Sequence, residues 1–401
     1  MLQALEITGR GVVSSMGQDV ESFTRAVLAG ETSVASIDDI VPDLRFHNGA
    51  PVRGFDPAAH FDSRAIATID RFTQFAAVAG RQAWAESGLA AAKPDPRRIA
   101  VVIGTANGGI DIIEEGYRRL LVENLKPRPF TIPMNMANGP ASRIALEIGA
   151  RGPVFAVSSA CASAAHAMLV GHMLVAQGLA DVAVVGGTDS CFPVGFLRAW
   201  DALRVVSGDV CRPFSKGRAG LILGEGAAVF VLERPGAAAA RGGKPCAHFL
   251  GGGMTSDAGD LLAPDWTGME GAMRLALAAA GWQPSEVGYI NAHGTGTPAN
   301  DRAESKAINA LFGGREVPLP VSSTKSMIGH ALGASGALEA LATLAALEHG
   351  ILPPTINFLE ADPDCTIDPV ANAPRRAAVS QALSNSFAFG GLNVSLALAR
   401  A

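Results

Sequence analysis

The chain lacks the features that would staple it, anchor it in a membrane or give it a strong charge. Its five cysteines, at 161, 191, 211, 246 and 365, make no CxxC pair and no Cys/His cluster at zinc spacing, so neither a disulfide scaffold nor a structural zinc domain is indicated. No secretory leader opens the sequence, and a reducing, cytoplasmic setting is expected. The net charge is only -5 and no long basic run occurs, which offers no footprint for nucleic acid or an anionic membrane. Although 48% of the residues are hydrophobic, Gly, Asp, Arg or Glu breaks every apolar run well short of a bilayer span. A soluble protein follows, and at 401 residues it is long enough for a substantial core.

Ala supplies much of the apolar content, and 46 Gly accompany it, a composition suited to helices packed closely on sheets. Short β-branched runs at 99–104, 154–158, 182–187, 227–232, 287–292, 318–322 and 393–398 predict strands. Segments of helical period lie between them at 73–88, 161–177, 268–280 and 334–349, each running into a Gly. This alternation predicts an α/β layered fold. Residues 156–161 and 320–325 both read as a strand passing through Ser-Ser into a small-residue helix, which suggests an internal duplication with a joint near 235–245. The halves are taken as 1–240 and 241–401.

Four segments carry chemistry. Cys161 stands where a β run turns into a helix of small residues, a place where the helix dipole and free N–H groups favour a thiolate and can hold an oxyanion. Taken alone, a buried core cysteine is the commoner explanation. His293 ends a strand amid Gly294, Thr295, Gly296 and Thr297, with Asp301 and Glu304 close behind; an ordinary turn explains this equally well. Lys325, His330 and Glu339 sit in a Gly-rich apolar stretch where charges need partners, unless they are simply solvated. Residues 383–393 read as a Gly-Gly loop able to lid a pocket, with core packing of Phe387 and Phe389 as the alternative.

In this order and spacing the four segments resemble the β-ketoacyl-(acyl carrier protein) synthases, the condensing enzymes of the thiolase-like superfamily. The likeness spans nearly the whole chain, including residues 70–77, 104–109, Asn138, 211–214 and 223–226. It implies a thiolase-like layered αβαβα fold with internal duplication, usually a homodimer. It also implies decarboxylative condensation of an acyl group on Cys161 with a malonyl unit, both delivered by an acyl carrier protein. His293 and His330 then handle decarboxylation and the enolate oxygen, Lys325 organises the site with Glu304 as partner, and Thr295 and Thr297 hold the phosphopantetheine arm. The backbone N–H groups of Cys161 and Phe389 form the oxyanion hole, with Phe389 as gate. Asn291, Glu339, Ser384 and Asn385 match positions around a structural monovalent cation in some relatives. No cofactor beyond the carrier's phosphopantetheine is implied.

The sequence departs from the family pattern at Ser215 and Ala219 around Arg218, at Ala388 and Leu392 in the lid, and at Asn107, a turn position that bounds the acyl pocket in relatives. These departures resemble nodulation-type or polyketide-pathway synthases more than housekeeping enzymes. A non-catalytic chain-length-factor-like subunit of a heterodimer is the alternative, and Cys161 argues against it. A degradative thiolase needs a second reactive cysteine late in the chain; Cys365, in an expected surface loop, is the sole late one. Arg64, Lys126 and Arg128 are candidates for docking an acidic carrier.

Overall fold

A computed structural model describes residues 3–401. Its principal strands are Leu5–Ser14 (β1), Ile99–Gly104 (β2), Val154–Val157 (β3), Val182–Asp189 (β4), Gly226–Glu233 (β5), Ala247–Ser256 (β6), Tyr289–Asn291 (β7), Pro320–Ser322 (β8), Gln381–Ala388 (β9) and Leu392–Arg400 (β10). The helices that cover them are Arg71–Ser87 (α1), Gly139–Ile148 (α2), Ser163–Ala176 (α3), Trp266–Ala280 (α4), Pro298–Phe312 (α5) and Ser335–His349 (α6). Side-chain caps start α1 and α4: Asp70 accepts from the Phe72 N–H and Asp265 from the Thr267 N–H. Left-handed glycines at 88, 281 and 350 stop α1, α4 and α6, where the sequence placed their ends.

The strands join in one sheet, in the order β8-β7-β9-β10-β6-β1-β5-β4-β2-β3, with a two-residue piece, Asp368–Pro369, beyond β8. The order shows the duplication. β1 to β5 lie as third, second, fourth, fifth, first, and β6 to β10 repeat the arrangement with the same parallel and antiparallel pairings. The repeats meet where Leu5, Glu6 and Ile7 pair with Phe249, His248 and Ala247.

Strand alternation sorts side chains into layers. Val101 and Ile103 of β2 face α1 and α2, packing with Phe75, Ala79 and Ile144. Ala100 and Val102 face the other way, toward Ala164, Met168 and Leu338 of the central pair α3 and α6. In the second repeat Ile290, Val321 and Leu383 meet Met273, Leu277 and Ile308 of α4 and α5. The result is the αβαβα stack, with strands buried on both faces and therefore nearly continuously apolar.

Three strands depart from the sequence reading. β1 and β6 were not recognised, because Gly, Thr and Arg dilute their apolar signal; Gly9 is required there, since a Cβ would sit 2.0 Å from the Ala83 carbonyl oxygen of α1. The segment 383–393 is not a long loop but the hairpin β9–β10, and only Phe389–Gly391 turns between the strands. Cys365 is buried rather than in a surface loop, packed in the cluster that holds Phe214 and Met269.

Candidate active site

The chemistry gathers where the parallel strands of both repeats end. Beyond β3 the chain turns through Ala160, held in the left-handed region at φ 49°, and presents Cys161 two residues before α3. Gly104, at the end of β2, gives this turn its room: a Cβ there would lie 2.3 Å from the carbonyl carbon of Ser163. Gly104→Ala is expected to destabilise the fold by about 1–3 kcal/mol, the range for overpacking a filled core. Urea unfolding would show it as a lower midpoint with unchanged slope.

His293 follows β7, while Lys325 and His330 follow β8. The His330 Nε2 is 3.1 Å from the Cys161 Sγ, and its Nδ1 is 2.7 Å from the Ser335 hydroxyl at the start of α6. The two imidazoles stand edge to face at 5.4 Å. Lys325 is buried and uses its three ammonium hydrogens on the His293 carbonyl (2.7 Å), the His293 Nδ1 (3.2 Å) and the Glu339 carboxylate. With Nδ1 of His293 accepting, its Nε2 carries the proton. Ser335 both donates and accepts, so His330 is free to hold either tautomer.

Glu304 is not the partner of Lys325. Its carboxylate accepts the backbone N–H groups of His293 (2.8 Å) and Gly294 (2.7 Å), pinning the histidine turn from α5, and Glu339 on α6 takes the lysine. Burial holds the thiol of Cys161 protonated, pushed up to about 12 against the pull of Lys325, so the expected resting thiolate is absent. Burial, then Lys325, then the other imidazole hold His293 well below its ordinary value; burial and Lys325 do the same for His330. Both rings are neutral at physiological pH. Burial drives Glu339 up to about 7 while Lys325 opposes it.

Thr295 and Thr297 share a 2.8 Å hydroxyl contact and line the cavity onto which Cys161, His293 and His330 face. Phe389 lines it too, half-exposed in the β9–β10 turn, while Phe387 is buried against His293. Asn107 does not line this cavity. Its backbone N–H is drawn to Asp189 at 3.2 Å, and its side-chain Nδ2 is buried without a partner among the described residues. Ser384 and Asn291 are neighbours across β9 and β7, and the Ser384 Oγ, Asn291 Oδ1 and Glu339 Oε2 are buried without hydrogen-bond partners among the described residues. Three orphaned oxygens fit a hard monovalent cation. Asn385 does not join them, since Ser395 and Glu304 take up its amide.

Arg218, left unpaired by the sequence, meets Asp362 and lies 3.8 Å from Asp301. Of the docking candidates, Arg128 is held by Glu115 at 2.8 Å, whereas Arg64 and Lys126 are exposed and form no ion pair among the described residues. Sequence reasoning missed Ser335, the cavity wall of Trp200, Leu221 and Leu261–Pro264, and Asp189. Asp189 ends β4 fully buried and gathers the Thr105 hydroxyl with the N–H groups of Ala106, Asn107 and Gly333, tying the β2 turn to the stretch between His330 and α6. An acid closing an apolar strand was the available signal.

The buried carboxylates set an unusual pH response. Burial raises Asp70 to about 7, Asp189 to about 6, Asp301 to about 6 and Glu304 to about 7. Folded values above the unfolded ones of about 4 mean that their contribution to stability is present in acid and lost as pH climbs through 6 to 7. The buried neutral imidazoles of His172, His293 and His330 act in the opposite sense below about pH 6.5, so calorimetry should give melting temperatures that differ little between about pH 5.5 and 7.5, and a marked drop on acidification would contradict the carboxylate contribution.

Against known proteins, residues 3–238 match the β-ketoacyl synthase N-terminal domain and residues 246–359 the β-ketoacyl synthase C-terminal domain. The chain belongs to the β-ketoacyl synthase family. It is 41% identical over 393 residues to nodulation protein E of Rhizobium sp. (strain N33), covering 98% of each chain. Identity to 3-oxoacyl-[acyl-carrier-protein] synthase 2 of Coxiella burnetii (strain RSA 493 / Nine Mile phase I) is 38% over 405 residues, again 98% of each. The solved ishigamide ketosynthase/chain length factor superposes with a TM-score of 0.94 at 33% identity, covering both chains fully. As a β-ketoacyl synthase the chain is a condensing enzyme of the transferase class, and no helix among the described residues is long and apolar enough to cross a membrane.

Proposed function

We propose that this β-ketoacyl synthase is catalytically active and joins a Cys161-bound acyl group to malonyl carrier protein, releasing carbon dioxide and 3-oxoacyl carrier protein. The observation that carries the reading is the Cys161 Sγ on the Nε2 of a neutral His330, with neutral His293 fixed by Lys325 beside it.

In the first half-reaction His330 takes the thiol proton as Cys161 attacks the acyl thioester, and returns it to the departing carrier thiol. The backbone N–H groups of Cys161 and Phe389 hold the oxyanion. In the second, the malonyl C–C bond breaks and its electron pair passes into an enolate, whose oxygen is met by imidazole N–H groups. His293 presents its Nε2–H permanently, and His330 presents the same donor once Ser335 donates to its Nδ1. The enolate carbon then forms the new C–C bond as the bond to sulfur breaks, and the departing Cys161 thiolate takes a proton from water. Thr295 and Thr297 steady the pantetheine arm, and Phe389, in the two-glycine turn, admits the malonyl unit.

A monovalent cation held by Asn291, Glu339 and Ser384 would neutralise Glu339 and stiffen the strand ends; Lys325 and Glu304 position the imidazoles themselves. We read the chain as cytoplasmic, and as a homodimer because among the described residues β3 pairs on one side alone and Leu121, Val122 and Ile132 expose most of their surface. The likeness to nodulation protein E favours a specialised acyl chain over housekeeping elongation. Intact-protein mass spectrometry with a panel of acyl carrier thioesters, followed by malonyl carrier, tests the proposal. An acyl adduct chased into ketoacyl product supports it. A folded protein that takes no acyl group of any length would make it an accessory subunit.

A further inference from the structure

We propose that Cys161, His330 and His293 also form a binding site for one soft divalent metal ion of the zinc class, and that its occupation closes the reactive cavity. One ligand atom from each residue lies within 4.8 Å of the others, and all three residues line the same cavity. Sulfur and neutral imidazole nitrogen are the donors such ions prefer, and three protein ligands with a fourth position toward the cavity make an open tetrahedral site. The 3.1 Å between Cys161 Sγ and His330 Nε2 is near the separation of about 3.5 Å that two ligands adopt around tetrahedral zinc. Ser335 on the far nitrogen orients His330, as the outer partners of metal-bound histidines do.

His293 is the weakest of the three ligands. Its Nδ1 accepts from Lys325, so binding metal through Nε2 moves its proton to Nδ1 and costs the lysine that bond. The ammonium keeps Glu339 and the His293 carbonyl. Lys325 also repels a dication while Asp189 and Glu339 attract it, so a reversible inhibitory ion is expected rather than a resident one. On binding, the Cys161 S–H bond breaks, its proton leaves to the buffer and one sulfur–metal bond forms; nothing is oxidised. The metal then draws charge from the sulfur and occupies the space beside it that a thioester must enter.

The test uses the full chain carrying Cys246→Ala, which removes the cysteine that is only partly buried among the described residues. Titration with cobalt(II) should show one ion per chain and a thiolate-to-cobalt absorption band in the near ultraviolet. Zinc should displace the cobalt, and EDTA should restore acyl transfer. Cys161→Ala should abolish the band and weaken zinc binding, measured by calorimetry, about 100-fold or more. Should that variant fail to fold, alkylating the thiol with iodoacetamide must do the same. His330→Ala should weaken binding more than His293→Ala. A band or a stoichiometric zinc site that survives loss or alkylation of Cys161 overturns the proposal, as does a six-coordinate cobalt spectrum. Apart from the recovery of acyl transfer, these readouts need none of the proposed chemistry, so the metal site and the reaction stand or fall separately.

Discussion

Cys161→Ala is expected to eliminate the acyl adduct and reduce condensation by about 10⁴-fold or more, in line with removal of a covalent nucleophile. The same protein should keep splitting carbon dioxide from malonyl carrier, because the enolate oxygen is met by His293 and His330 and not by sulfur. His330→Ala should give a different profile. It removes the base beside the thiol and one enolate donor, so acylation and decarboxylation both slow. Measuring acyl adduct by mass and carbon dioxide release in parallel separates the two. Were Cys161→Ala to lose decarboxylation as fully as condensation, the division of labour between sulfur and imidazoles would be wrong.

Lys325→Met should have the second-largest effect, on stability as well as rate. The ion pair with Glu339 has side-chain exposures of 1% and 0%, and breaking such a pair from one side costs about 3–5 kcal/mol because the remaining charge is stranded. His293 would also lose the donor that fixes its tautomer, so its Nε2 no longer faces the cavity as an obligatory N–H. Condensation should drop with little change in KM for acyl carrier, since Lys325 does not line the cavity. Combining Lys325→Met with Glu339→Gln should recover part of the stability and none of the rate. A double variant no more stable than the single one would show that the pair is not the source of the loss.

The chemistry of the site was more legible in the sequence than its wiring. Cys161, His293, Lys325 and His330 could be named because their four segments, in that order and spacing, resemble the β-ketoacyl synthases; each segment alone also fitted an ordinary turn or core. Lys325 was matched to Glu304 instead of Glu339 because spacing along a helix cannot reveal which buried donor a carboxylate meets. One faces two backbone N–H groups and the other an ammonium, and only the packing of α5 and α6 decides it. The strand β9 was hidden for a related reason. Ser384, Asn385 and Ser386 look like loop residues, yet all three are buried, because the site requires polar atoms inside a strand. Trp200 and Leu261 carried no local signal, since their role at the cavity wall arises from segments distant in sequence.

The free edge of β3 bears on how the protein behaves in dilute solution. Cys161 comes four residues after Val157, the last residue of a strand whose outer row of N–H and C=O groups has no strand partner among the described residues. Whatever pairs with that row holds the nucleophile's turn from outside, and an unpaired row is free to fray or to recruit a wrong strand. Specific activity should then fall when the protein is diluted below the dissociation constant of that pairing. Concentration belongs among the variables controlled in every assay of Cys161.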